Sequence, residues 1–213
     1  PSPNWLKREL RERTVAEQAK DLVEVGPGII RPLNQSEAKA ALEALKEIGK
    51  TEPAVAAAMA QGGAVKDFLI AALSLSPYLR DLASVSPRLL ADAMAGPVEP
   101  QLASLIQFVH SAWKPADGAT PSENEVMAKL RSAKRAFSLL LALADLGRIF
   151  TAKETTRWLS EFAEACVAAT VDHLLLAAHE SGKLRLADTA EPSKGSGLIV
   201  LGMGKLGGRE LNY

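Results

Sequence analysis

The sequence holds 213 residues, 47% hydrophobic and 23% charged, as in a soluble globular protein able to bury a real core. Lys plus Arg number 25 and Asp plus Glu 25, which excludes a net field drawing the chain to nucleic acid or an anionic membrane. The single cysteine, Cys166, excludes a disulfide framework, and 5% aromatic content leaves no stacking platform for single-stranded nucleic acid.

In chain order, the N-terminal PSPNWLKREL carries no signal-peptide apolar segment, and no apolar run approaches the roughly 18 residues of a membrane span. A cytoplasmic location without membrane or nucleic-acid partners is expected. The chain starts without Met and stops abruptly, so it is expected to be a fragment. Asn34 and Glu37 form an Asn version of the capping box, followed by an apolar stripe at Ala38, Ala41, Leu42, Leu45 and Ile48, with Gly49 as the stop.

The middle is choppier. SPYLRDLAS and SPRLLADAM, starting at Ser76 and Ser86, read as two short helices with Ser as cap and Pro at the first helical position. Two copies do not make a solenoid. EPQLASLIQFVHSAW, from Glu99, gives one more amphipathic helix, and KPADGATP, 114–121, a loop that Trp113 anchors. Thr120, Pro121 and Glu123 predict the start of a long helix over 121–146, with Val126, Leu130, Ala133, Phe137, Leu140, Leu141 and Ala144 on one side. Thr151 and Glu154 open a second, over 152–181, with Trp158, Phe162, Ala165, Cys166 and Ala169 inward. The short connection predicts that the two pack antiparallel.

About 185 residues thus read as helical, in roughly eight to ten helices. The turn-rich ADTAEPSKGSG, 187–197, leads to Leu198–Leu201, whose uncharged aliphatic run predicts a strand buried on both faces. The fold class is therefore mainly α: a multi-helix bundle with two long antiparallel helices, then one strand and a Gly-rich loop. Three regions follow: an N-terminal helical region 1–115, a long helical pair 116–190, and a terminal unit 191–213.

The terminal stretch GLIVLGMGKLGGRELNY carries the chemistry. Gly202, Gly204 and Gly207 satisfy G-x-G-x-x-G after a strand, the dinucleotide fingerprint, but the second strand and the later acidic residue it needs have no room. A Walker A loop fails because Leu206 follows Lys205 and Ile199 stands where the first Gly belongs. A third reading is an anion-binding loop in which the backbone at Gly207 and Gly208 approaches a phosphate and Lys205 adds charge. A plain tight turn needing glycine is the bland alternative. Elsewhere, Arg131, Lys134 and Arg135 share one helix face and form a candidate phosphate or acidic-partner contact or a solvated face. His110, His173 and His179 lack metal-ligand spacing, and Trp5, Trp113 and Trp158 read as packing anchors.

GLIVLGMGKLGGRELN, together with SPYLRDLA and KLRSAKRAFSLLLALADLGRIFTAKETTRWLSEFA upstream, resembles the glutamine synthetase adenylyltransferase/adenylyl-removing enzyme family of polymerase β-like nucleotidyltransferases. In that family the glycine string runs directly into S-D-x-D-L, whose aspartates bind metal, and this chain stops at Tyr213, before that motif. The resemblance implies two transferase domains in the whole enzyme, the N-terminal one removing AMP from a tyrosine of glutamine synthetase by phosphorolysis to ADP and the C-terminal one adding it from ATP. It also implies Mg²⁺, and regulation by glutamine and a PII-type signal protein. Carried over, the nucleotide- or phosphate-binding role falls to Lys205, Gly207 and Gly208. Residues 1–213 then hold no catalytic or metal residue and are expected to be inactive alone. The rivals are a dinucleotide-binding oxidoreductase fragment and a non-enzymatic helical interaction module.

Overall fold

A computed structural model describes residues 21–22, 30–115 and 119–212; Trp5, part of the 114–121 loop and Tyr213 lie outside the described residues. Among these are nine helices: α1 (Gln35–Gly49), α2 (Pro53–Gln61), α3 (Gly63–Leu75), α4 (Pro77–Val85), α5 (Pro87–Ala93), α6 (Val98–Ser111), α7 (Glu123–Leu146), α8 (Ala152–Glu180) and the single turn α9 (Gly204–Gly207). The described residues are mainly helical, as the periodicity predicts, though the helical share is smaller than the roughly 185 residues expected.

Helix starts follow local chemistry. Asn34 Oδ1 accepts from Glu37 N–H at 2.9 Å and caps α1. The Glu37 carboxylate does not complete a capping box; it accepts from Arg80 Nη1 at 2.6 Å and ties α1 to α4. Ala41, Leu45 and Ile48 of the predicted stripe are buried. Ser76 caps α4 through Leu79 N–H at 3.3 Å, whereas Ser86 makes no such bond at the head of α5. At α7 the cap is Ser122 rather than Thr120: Ser122 and Glu125 form a full capping box, and the Thr120 hydroxyl donates to Glu180 at the far end of α8. Thr151 and Glu154 form the second box, as predicted.

The two long helices are antiparallel. Beside their connecting turn, Thr155 Oγ1 donates to Asp145 Oδ1 at 2.9 Å. Midway, the Phe137 and Phe162 rings stack at 4.1 Å, and the Thr120–Glu180 bond closes the open end. Contacts that step outward equally along both helices fix their opposed direction.

α7 is the centre of the molecule. Leu139, Leu141, Leu143 and Ala144 are wholly buried, and its neighbours are α4, α5, α6 and α8. A helix segment apolar on every side is stable only when enclosed. Helices on both sides of residue 115 contribute to one continuous core, from Leu22 to Leu176, with Leu186 packed against it. α8 is long and apolar enough, by length and composition, to cross a membrane; one face of it, with Trp158, Phe162, Ala165, Ala169, His173 and Leu176, is buried and packs on α6 and α7.

The expected strand at 198–201 does not form. These residues run as irregular chain with no ladder among the described residues, and Ile199 and Leu201 are each 78% exposed. A strand is stabilised by backbone pairing with a neighbour and by packing on its faces. No described segment supplies either, so β-favouring composition alone leaves the chain unpaired.

Candidate functional site

The candidate site is the glycine-rich turn and the part of α8 beneath it. After α8 the chain folds back along that helix. Pro192 is buried, and Ser193 N–H donates to Asp172 Oδ1 at 3.0 Å. The chain then turns through α9, and two contacts return it to α8: Leu211 N–H donates to Ser160 Oγ at 3.3 Å, and Arg209 Nη2 lies 3.7 Å from Glu164 Oε2.

Within the turn the glycines do different jobs. Gly204 sits at φ +58, a left-handed conformation that costs a side-chain-bearing residue. Gly207 is required by space: a Cβ there would stand 2.4 Å from the Gly202 carbonyl oxygen and 3.0 Å from its carbon. Gly208 is under neither constraint, with φ −80 and nothing nearer to an added Cβ than Gly204 O at 3.4 Å. The fold of the turn therefore explains Gly207 and leaves Gly208 without a structural reason.

The turn also uses its own donors. Gly207 N–H points to Met203 O at 3.4 Å, Gly208 N–H donates to Gly204 O at 2.9 Å and Glu210 N–H to Lys205 O at 2.7 Å. In this conformation the outward surface at Gly207 and Gly208 is bare, exposed backbone rather than a row of free N–H groups. Lys205 is exposed beside it, its Nζ donating to Asn212 Oδ1 at 3.0 Å. The dinucleotide fingerprint needs a strand leading into a full helix; here an unpaired segment leads into a four-residue turn.

Arg131, Lys134 and Arg135 are exposed along α7. Arg131 Nη2 rests 3.9 Å from Met127 Sδ. Lys134 lies near enough to Cys166 to favour its thiolate, but burial dominates and pushes the thiol up to about 11. Cys166 is accordingly a packing residue. Its alkylation by iodoacetamide at pH 8 should be about 10²-fold slower than that of a free thiol, because reaction proceeds through the thiolate. The rate should keep rising above pH 10 rather than level off near 9; a plateau near 9 would refute the buried setting.

Among the described residues no three His, Cys, Asp or Glu side chains gather as a metal site. His173 is buried, and His179 Nδ1 accepts from Leu186 N–H at 3.3 Å. Glu210 is the one carboxylate in 204–212, too few donors for a divalent cation, which takes several oxygen ligands. The described residues therefore do not fit Mg²⁺.

Sequence reading missed Ser160, Glu164 and Asp172, which seat the terminal segment. No local pattern marks them in the sequence; the burial of Ser160 exists only in the folded chain.

A family profile described as glutamate-ammonia ligase adenylyltransferase matches residues 67–213. The bifunctional glutamine synthetase adenylyltransferase/adenylyl-removing enzyme of Agrobacterium fabrum is 58% identical over 207 residues, 97% of this chain and 20% of its own length. That of Rhizobium meliloti is 47% identical over 195 residues, 91% of this chain and 20% of its own length, and that of Mesorhizobium japonicum is 41% identical over 186 residues, 86% and 19%. The chain thus spans about a fifth of the length of these curated relatives. No solved structure matches it.

Proposed function

The chain belongs to the glutamate-ammonia ligase adenylyltransferase family, and from that membership we propose that it is the N-terminal part of an enzyme that adds AMP to and removes AMP from glutamine synthetase, serving the removal. The observation that carries this reading is the family match, which runs through the glycine-rich turn to residue 213. The geometry is compatible with it: the turn is anchored on α8 by one side and bare on the other.

In the proposed reaction an oxygen of inorganic phosphate attacks the phosphorus of the tyrosyl–AMP ester. The bond from phosphorus to the tyrosine oxygen breaks, the phenolate leaves and takes a proton, and ADP forms. Lys205 contributes positive charge toward the phosphate oxygens. Gly207 and Gly208 let those oxygens come against the backbone without meeting a side chain. A fixed charge aimed where charge develops is worth far more in a preorganised site than in water. Arg131, Lys134 and Arg135 offer a second cationic surface for glutamine synthetase or a PII-type signal protein. The family's Mg²⁺ has no donor set among the described residues, so no step is assigned to it here.

The test is incubation of the full-length protein with adenylylated glutamine synthetase, phosphate and Mg²⁺. ADP should appear only with phosphate present, and residues 1–213 alone should release none. Release of AMP instead of ADP, or turnover by residues 1–213, would overturn the reading.

A further inference from the structure

We propose that Ser160 and Glu164 of α8 are positioning residues that seat the glycine-rich turn, so that the helical region sets where Lys205, Gly207 and Gly208 lie. The proposal rests on the phosphorolytic reading above for its effect on rate; the seating itself stands on geometry.

Exposure divides the turn in two. From 204 to 212, Leu206, Arg209 and Leu211 are half-buried, whereas Lys205, Gly207, Gly208, Glu210 and Asn212 are exposed. Of the half-buried set, Arg209 and Leu211 meet α8, and the exposed set includes Lys205, Gly207 and Gly208, to which family resemblance gives a role. Residues four apart on a helix share a face, so Ser160 and Glu164 form a two-point footing one turn long.

Ser160 is wholly buried. Its hydroxyl donates to Thr156 O at 2.8 Å, which leaves the oxygen lone pairs for Leu211 N–H. An alanine there would leave that N–H without its acceptor. Glu164 meets Arg209, which holds φ +55, a backbone state sparsely populated outside glycine. The ion pair is open to solvent, with side chains 38% and 44% exposed, so its contribution is direction rather than stability. No residue from 197 to 212 belongs to the hydrophobic core; these polar contacts therefore carry the alignment that packing does not.

The experiment uses the full-length protein with S160A, E164R, R209E and the double charge swap E164R/R209E. Two readouts are taken: deadenylylation kinetics, and hydrogen exchange of amides 204–212, which reports local opening without requiring activity. Each single variant should lower kcat for deadenylylation on the order of tenfold to 10²-fold with KM for adenylylated glutamine synthetase little changed. Exchange at 209–211 should quicken, and melting should stay near that of the parent. The charge swap should recover most of both readouts, the mark of a direct pairwise interaction. Unchanged exchange in S160A and R209E overturns the seating. Faster exchange with full turnover overturns its role in positioning. If the parent itself produces no ADP, the phosphorolytic reading fails, and the exchange data alone decide whether the footing exists.

Discussion

Gly207→Ala in the full-length protein is expected to cut deadenylylation by ~10²-fold or more while leaving the melting of the helical region almost unmoved. The cause is steric and local. The alanine Cβ would enter within 2.4 Å of the Gly202 carbonyl oxygen, and both contacting atoms are backbone, so neither can swing away as a side chain would. One limb of the turn must shift, and Lys205, two residues earlier, shifts with it. Stability should hold because the core is built from residues up to Leu186.

Gly208→Ala is the informative companion. The chain itself accepts that methyl group, with 3.4 Å to the nearest atom and a negative φ. If its turnover falls as far as that of Gly207→Ala with hydrogen exchange unchanged, the lost space belonged to a ligand that approaches Gly208. If turnover is normal in Gly208→Ala and lost in Gly207→Ala, the glycines serve the turn alone. Normal turnover in Gly207→Ala would refute the placement of this turn in the reaction.

The second large effect is on stability. Phe137→Ala should destabilise the fold by about 3–5 kcal/mol, the range for removing a buried aromatic ring, and lower Tm by about 10 °C for a chain of this size. Phe137 is 1% exposed and stacks on Phe162 across the α7–α8 pair. The cavity would open where α7 is enclosed by four other helices, so little of it can collapse. Thermal unfolding of the two proteins checks this, with Phe137→Leu expected to lose less than half as much. A loss below about 1 kcal/mol for the alanine variant would contradict the central position of α7, because such values belong to sites that relax or lie at the surface.

Much of this architecture was legible in local patterns. The capping residues at Asn34 and Thr151, the Ser-Pro starts at Ser76 and Ser86, and the apolar periodicities of α7 and α8 all concern residues within one or two turns of each other. Their physics is short-range, so the sequence carries it without help. The resemblance of the glycine string was legible for a similar reason: it is a contiguous pattern. The N-cap of α7 was misplaced by two residues because Thr120 and Ser122 carry the same chemistry. Only the Thr120 bond to Glu180, sixty positions away in the chain, shows which of them the tertiary structure uses elsewhere.

By itself, then, the amino-acid order determined the mainly helical class, the direction of the α7–α8 pair and the family to which the glycine string points. The tertiary structure decided what depends on contacts between distant residues. It assigned Glu37 to Arg80 instead of its own helix start. It enclosed the Leu139–Ala144 stretch of α7, and it left Leu198–Leu201 unpaired despite strand-forming composition. It also separated Gly207, fixed by a backbone approach from Gly202, from Gly208, which has no such neighbour. The reason is common to all four cases: capping and periodicity are settled by a residue's own neighbours in the chain, whereas pairing, enclosure and close approach exist only once a second segment has arrived in space.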